Sequence, residues 1–417
     1  MRILIATSYR TLVGGVERYL QVLIPGLLNR GHDVGLLHEY PADAGAETID
    51  PAGARIPAWC ASGGTAEEIL RRLSEWQPEI VYSQGLDDGD LEDALLRTYQ
   101  AALYAHNYFG TCISGRKCHS FPQLRPCERR FGAGCLALYY PRRCGGLNPG
   151  TMWRMFRRQS QIHSRFGRWR ALLVASQHMY QEFHQNGVGL DQLHLAPLPV
   201  TSIMPASPAA RTGASERNRA LFMGRLTDIK GADYLVQATA QAARLLDRPL
   251  TLTIAGDGPE LSRVQGTALA LGVSIKHAGW VGGRQKEELL RDADLLVVPS
   301  VWPEPFGLVG IEAGLQAVPA AAFDVGGIPD WLIPGVSGEL AAGNPPTVEG
   351  LAAAIVRALA DEDHYRMLSR GALDVARRFT MEGHLDRLEP ILGDHAARPA
   401  AADFSQPATK LPATRLQ

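Results

Sequence analysis

Two glutamates eight positions apart, Glu304 and Glu312, bracket the segment Pro305-Phe306-Gly307-Leu308-Val309. The segment follows an apolar run, Leu295 to Pro299, that reads as a buried strand, and its own composition opens a helix. Glu304 then sits in the loop, and Glu312 projects from the helix about two turns later. The backbone amides of Phe306, Gly307, Leu308 and Val309 fall at the helix start, where they lack intrahelical partners and favour an anionic group. One carboxylate can accept hydrogen bonds from the hydroxyls of a ligand while the second, further on, holds another set of hydroxyls. Acids at a helix start are also ordinary capping, so the pair gains meaning only from its surroundings.

Those surroundings add cations and glycine turns. Phe222-Met223-Gly224-Arg225-Leu226-Thr227-Asp228-Ile229-Lys230-Gly231 is a strand, a glycine turn and a helix start carrying Arg225 and Lys230. A second turn, Ala255-Gly256-Asp257-Gly258-Pro259-Glu260, follows another apolar run, and Trp280 stands in His277-Ala278-Gly279-Trp280-Val281. Near the amino terminus, Gly14-Gly15 precedes the helical stretch Val16-Glu17-Arg18-Tyr19-Leu20, where glycine allows a close approach and the helix start favours negative charge. His106 lies just beyond the strand-like run Ala101 to Ala105. Each has a bland counterpart: a salt-bridged surface pair, a bare turn, a core tryptophan, a structural histidine.

Taken together and in this order, the segments resemble family 4 of the retaining glycosyltransferases, whose signature is an E-x7-E segment with Pro-Phe-Gly inside it. The resemblance implies a GT-B fold, two Rossmann-like doubly wound α/β domains facing a central cleft, and transfer of a sugar from a nucleotide-diphosphate sugar to an acceptor hydroxyl. It further implies that Arg225 and Lys230 neutralise the donor diphosphate as the glycosidic bond breaks. Glu304 would then hold the donor sugar and Glu312 the ribose. Gly14, Gly15, Gly224 and Gly256 would line the donor, with Trp280 beside the nucleobase. His106 would stand near the donor sugar and the incoming acceptor, orienting a hydroxyl or transiently taking its proton. Gly326-Gly327-Ile328-Pro329-Asp330 also resembles a family segment, in which Glu is commoner than the Asp found here. No residue is required as a covalent nucleophile, and no Asp-x-Asp motif stands in these loops, so catalysis is expected to need no metal cofactor. The resemblance is strongest from Arg219 to Glu339 and fainter from Met1 to Ala105. Two rival readings stay open: a GT-B-like sugar-nucleotide epimerase, and a catalytically silent scaffold that binds lipid or a partner.

Between Gly110 and Arg170 the resemblance fails. This stretch holds 13 Lys and Arg against one acid, Glu128, although the whole chain has a net charge of -1. Such a block suits phosphates, anionic lipid or nucleic acid. Tyr139, Tyr140, Trp153, Phe156, Phe166 and Trp169 are interleaved with its arginines, a mixture that suits a lipid headgroup layer or stacking on nucleic acid. Peripheral contact with an anionic membrane, and with it a lipid-linked glycan acceptor, is the preferred expectation; nucleic acid is not favoured as a partner, and core packing accounts for about half of the aromatics. Cys112, Cys118, Cys127, Cys135 and Cys144 lie in the same block, without C-x2-C pairs. Four of the five could hold a structural Zn2+; free thiols, disulfides or an iron-sulfur cluster are the alternatives.

The elements that must position these groups alternate strand and helix, the pattern of parallel α/β units. In the first half, strands are expected at Arg2 to Thr7, Asp33 to His38, Glu79 to Ser83, Ala101 to Ala105, Ala171 to Ala175 and Gln192 to Ala196. Helices are expected at Gly15 to Arg30, Thr65 to Trp76, Thr151 to Arg165 and from Gln177. The boundaries predicted are a first domain over 1–199 with its insertion at 110–170, a linker over 200–216 and a second domain over 217–380. A helix over 381–395 would brace the first domain, and a tail rich in Ala, Pro and Thr, expected to be disordered, fills 396–417. With 46% hydrophobic and 20% charged residues the composition is globular. No apolar run approaches the ~20 residues of a membrane span, and Met1 to Thr7 is too short for a signal peptide, so a cytoplasmic protein is expected.

Overall fold

The computed structural model describes residues 1–43, 45–49, 55–200 and 217–393. The expected linker beyond Val200 and the expected tail lie outside these residues.

The first lobe contains strands β1 (Arg2–Thr7), β2 (Asp33–His38), β3 (Ala58–Cys60), β4 (Ile80–Ser83) and β5 (Ala101–Ala105). A two-residue hairpin, β6 (Cys118–His119) with β7 (Arg125–Pro126), interrupts the series before β8 (Ala171–Val174) and β9 (Leu193–Leu195). Its helices are α1 (Gly15–Asn29), α2 (Ala66–Trp76), α3 (Gly89–Thr98), α4 (Gly134–Leu138), α5 (Pro149–Ser164) and α6 (Gln177–Gln185). The second lobe contains β10 (Arg219–Met223), β11 (Thr251–Ala255), β12 (Ser274–Gly279), β13 (Leu295–Val298), β14 (Ala320–Asp324) and β15 (Gly338–Ala342). With them come α7 (Ala232–Leu245), α8 (Leu261–Leu271), α9 (Gly283–Asp292), α10 (Leu308–Leu315), α11 (Val348–Ala360), α12 (Glu362–Ala376) and α13 (Met381–Gly393).

Each lobe is built on one parallel sheet, ordered β3-β2-β1-β4-β5-β8-β9 in the first and β12-β11-β10-β13-β14-β15 in the second. Parallel sheets need crossover helices that cover their faces, which is why the central strands are unbroken apolar runs such as Ile3-Leu4-Ile5-Ala6 and Leu295-Leu296-Val297-Val298, all buried. In both sheets the order reverses beside the first strand of the lobe, the position where ligands bind at strand carboxyl ends. The doubly wound pattern read from the sequence is thus the fold observed. The sequence reading did not include β3, α3 and β15, which are short or flank the core.

Helix α13 crosses back to the first lobe. Leu385 packs over Gly26 of α1 so closely that a Cβ at Gly26 would lie 2.8 Å from its Cδ1. Arg30 pairs with Glu382, Asp386 and Glu389 of α13 at 2.6 to 2.9 Å. His384 on α13 is buried and bonded to Tyr19 Oη at 2.7 Å, and Tyr19 in turn to Tyr82 Oη at 2.9 Å. Among the described residues no helix is long and apolar enough to cross a membrane.

Candidate active site at the cleft

In the second lobe, Glu304 lies in the loop between β13 and α10 and is 5% exposed. Its Oε1 accepts hydrogen bonds from Lys230 Nζ at 2.6 Å and from Ser300 Oγ at 2.5 Å. Lys230 ends a single 3-10 turn, Asp228–Lys230, and its ammonium also stands 5.4 Å from the centre of the Trp302 ring. Burying the carboxylate is offset by that charge-assisted contact, so the acid and the cation are presented as one unit. Arg225 is exposed and makes no ion pair among the described residues, which leaves its guanidinium available to a ligand.

Glu312, also 5% exposed, projects from α10 and meets Lys286 Nζ of α9 at 2.5 Å. Gly307 caps α10 in a left-handed conformation, φ 91°, and the first amides of the helix have no intrahelical partner. Phe306 contributes backbone only: its ring is buried against Phe379, and its carbonyl accepts from Trp331 Nε1 at 2.7 Å. Leu308 and Val309 are half-buried at the helix start. The turns after β10 and β11 interlock, since a Cβ on Gly256, φ 148°, would fall 2.0 Å from the carbonyl oxygen of Gly224. No other residue fits there. Trp280 is 69% exposed, so it is not a core tryptophan.

In the first lobe, Gly14 is the N-cap of α1 and Gly15 its first residue; both are exposed, and the Gly14 amide is held by Glu17 Oε2 at 2.8 Å. Arg18, one turn on, reaches the second lobe at Gly282, where a built Cβ would lie 3.7 Å from its guanidinium. His106 follows β5. Its Nε2 lies 2.8 Å from Gln84 Oε1, so Nε2–H donates and Nδ1 keeps its lone pair. Burial, with His384 nearby, pushes the imidazole down to about 3. His106 is therefore neutral at physiological pH and is suited to orienting a hydroxyl; burial disfavours the proton uptake that the sequence left open.

Several groups at the cleft carry no recognisable sequence signal. Tyr108 is fully buried, its hydroxyl bonded to His178 Nδ1 at 2.9 Å and its ring edge-on to Trp302 of the other lobe at 6.4 Å. Burial first, then the carboxylates of Glu182, Glu304 and Asp330, raise its phenol well above the ordinary range. Arg116 of the insertion bonds Asp228 at 3.1 Å, two residues from Lys230. Lys286, Ser300 and Trp302 complete the set. Except for Ser300, which bonds Glu304 four residues on, these pairings join residues far apart in the chain, so spacing could not reveal them.

The basic insertion is anchored rather than loose. Buried Lys117 pairs with Glu182 of α6 at 2.6 Å, and Arg165 engages Glu92 and Asp93 of α3. Arg129, Arg130, Arg143, Arg154 and Arg157 remain exposed without an acidic partner among the described residues. Tyr139, Phe166 and Trp169 are core, whereas Tyr140 and Trp153 face outward and Phe121 is covered by Arg143 at 5.2 Å. Cys112, Cys118, Cys127, Cys135 and Cys144 are free thiols. Among the described residues no group of three or more His, Cys, Asp or Glu side chains stands ready to hold a metal ion. Burial pushes the thiols of Cys118 and Cys144 up to about 12; Cys144 is raised further by neighbouring Cys112, Cys127 and Cys135.

The two facing Rossmann-like lobes, with the braced carboxyl-terminal helix and the cleft between them, define the GT-B class of fold. Residues 206–374 match the family model described as glycosyl transferases group 1. A D-inositol 3-phosphate glycosyltransferase of Stackebrandtia nassauensis is 32% identical over 199 residues, 45% of this chain and 44% of that protein. An uncharacterized glycosyltransferase of Methanocaldococcus jannaschii is 39% identical over 111 residues, 26% of this chain and 27% of the other. The matched part thus spans less than half the length of these curated relatives. Similarity to solved structures extends further. A sucrose-phosphate synthase from Thermosynechococcus elongatus superposes with a TM-score of 0.69 at 19% identity, covering 94% of this chain and 98% of that one. Anabaena HepE in complex with UDP and glucose gives 0.65 at 17% identity, covering 94% and 99%.

Proposed function

We propose that the protein is a retaining glycosyltransferase that moves a sugar from a nucleotide-diphosphate sugar to an acceptor hydroxyl. The observation that carries this reading is the Lys230–Glu304 unit, whose acid lies on the loop that leads into the α10 amino terminus, with exposed Arg225 on the turn that precedes Lys230. A diphosphate fits the two cations and the amides, and the sugar attached to it then meets Glu304. Glu312 would accept from the ribose hydroxyls, sharing Lys286, while exposed Trp280 borders the base. Because the neighbour HepE was solved with UDP, uridine donors head the series to be tried.

Transfer would proceed on one face of the sugar. The anomeric carbon to phosphate oxygen bond breaks with its electron pair going to the diphosphate, while the acceptor oxygen bonds the same carbon from the same side. The departing phosphate oxygen takes the acceptor proton, and Arg225 and Lys230 stabilise the charge left behind. Neutral His106 orients the hydroxyl. With two cations on the diphosphate, no divalent metal is required in this scheme.

The acceptor side is read from the insertion. Exposed Trp153, Tyr140 and Phe121 among unpaired arginines support contact with an anionic lipid surface and a lipid-linked glycan acceptor at the inner face of the membrane. A structural zinc on four of the five cysteines belongs to the same proposal: beyond burial, Cys112, Cys127 and Cys135 raise the Cys144 thiol, an interaction that a bound cation would relieve.

Thermal stabilisation by a panel of nucleotide sugars, followed by assay of nucleotide diphosphate release with lipid-linked acceptors in anionic vesicles, tests the reading. Acceptor-dependent release supports it. Epimerised free sugar nucleotide would favour an epimerase, and binding without turnover a silent scaffold.

A further inference from the structure

The turn Gly326-Gly327 is wedged between the Glu304 loop and the first lobe. Gly327 N–H donates to Glu304 O at 2.7 Å, and a Cβ at Gly327 would fall 2.6 Å from both Pro305 O and Ser176 Cβ. Three residues on, Asp330 Oδ2 accepts from the backbone N–H of Gln177, the first residue of α6, at 2.8 Å. A helix start has amides with no intrahelical partner. Ser176 Oγ satisfies Met179 N–H at 3.2 Å, but the acceptor for Gln177 N–H comes from the other lobe. We infer that Asp330 is a positioning residue: from the second lobe it caps the first-lobe helix α6 and holds the cleft closed.

The consequence runs through the next residue of α6. His178 bonds Tyr108 Oη, and the Tyr108 ring meets Trp302 between Lys230 and the Glu304 loop. Seating α6 against Asp330 therefore fixes the first-lobe wall of the cleft opposite the acid and cation of the second. Other polar contacts across the cleft, such as Arg116 with Asp228 and Asn344 with Glu128, join exposed side chains, where pairing contributes little. The Asp330 contact instead reaches a backbone amide at a helix start, from a side chain that is itself half-buried. The short side chain suits a position where Gly327 already brings the lobes to within van der Waals distance, which gives the Asp in this segment a physical reason.

Three variants test the cap. Asp330→Ala removes the acceptor. Asp330→Asn keeps an acceptor oxygen without the charge. Gln177→Pro removes the donor at the first helical position, where proline is tolerated, and Ser176 already has the extended conformation that a following proline requires. Asp330→Ala and Gln177→Pro should increase the radius of gyration in solution scattering and lower kcat/KM for the acceptor about fivefold, the equilibrium factor that matches the ~1 kcal/mol a helix cap contributes to stability. Asp330→Asn should stay within about twofold of the native protein in both measurements. Native scattering and kinetics in Gln177→Pro would overturn the inference, whether or not Asp330→Ala folds. So would an Asp330→Asn protein as damaged as Asp330→Ala, because the charge would then act on bound ligand rather than on α6. The kinetic arm rests on the transferase reading and the scattering arm does not: a native protein that neither binds nor turns over nucleotide sugars sinks that reading while scattering still decides the cap.

Discussion

Replacing Glu304 by Gln keeps the volume of the side chain and removes its charge. In the native protein the carboxylate is 5% exposed and accepts from Lys230 Nζ and Ser300 Oγ, bonds that a glutamine oxygen can keep in weaker form. Hydrogen bonds to charged groups contribute ~1.5–3 kcal/mol against ~1 kcal/mol for neutral ones. The fold should therefore lose only ~1–2 kcal/mol, a drop of a few degrees in Tm. Turnover should suffer far more. A fixed charge aimed at the reacting sugar is lost, and removing one such preorganised contact typically lowers kcat by ~10²–10³, equivalent to ~3–4 kcal/mol. Lys230, held less tightly by a neutral partner, stays available to the diphosphate, so nucleotide diphosphate affinity should hold or tighten. Steady-state kinetics, calorimetric titration and thermal denaturation of the same preparation separate the three quantities. Turnover within about threefold of native in the folded variant would remove Glu304 from the reacting centre, because the loss reasoned from its charge would be absent. A loss of diphosphate affinity matching the loss of turnover would show that the acid only positions Lys230.

Further outcomes follow from the same structure. Lys286→Ala leaves Glu312 without its cation at 2.5 Å, so the donor KM should change by about tenfold while kcat stays within about threefold; a kcat effect equal to the KM effect would refute the ribose assignment of Glu312. Burial pushes the Glu92 carboxyl up to about 7, so the folded protein binds more protons than the unfolded chain between about 4.5 and 7, and stability falls as pH rises through that window. Glu92→Gln should flatten the profile and raise stability at pH 8 by on the order of 2 kcal/mol; an unchanged Tm profile from pH 5 to 8 would show that Arg165 keeps the acid ionised. Purified protein is expected to hold about one zinc per chain, by elemental analysis, if the insertion thiols bind it. Metal-free protein with freely titrating thiols rejects that expectation.

The strands and the second-lobe site were legible because their determinants are local. Buried parallel strands must be apolar on both faces, so Leu295-Leu296-Val297-Val298 and Ala101-Ala102-Leu103 announce themselves, and a glycine turn must follow where two loops interlock, as at Gly224 and Gly256. The segment from Glu304 to Glu312 is contiguous, so its loop, helix start and second acid could be placed by counting residues. Half-burial obscured the insertion. Its aromatics and arginines look alike in sequence, yet Trp169 and Arg165 are buried while Trp153 and Arg154 are not. Which of them faces solvent depends on acids of α3 and α6 that lie far off in the chain.

The sequence by itself determined two α/β lobes, their order, and the acids, cations and glycine turns of the second lobe, since each is written in hydrophobic periodicity or in short spacing. Only the tertiary structure decided the partners: Lys230 with Glu304, Lys286 with Glu312, Tyr108 with His178, and Asp330 with the first turn of α6. It also decided that His106 is neutral. Hydrogen bonds, ion pairs and desolvation depend on distances of a few ångströms between residues remote in the chain, and those distances exist only once the lobes have folded and met.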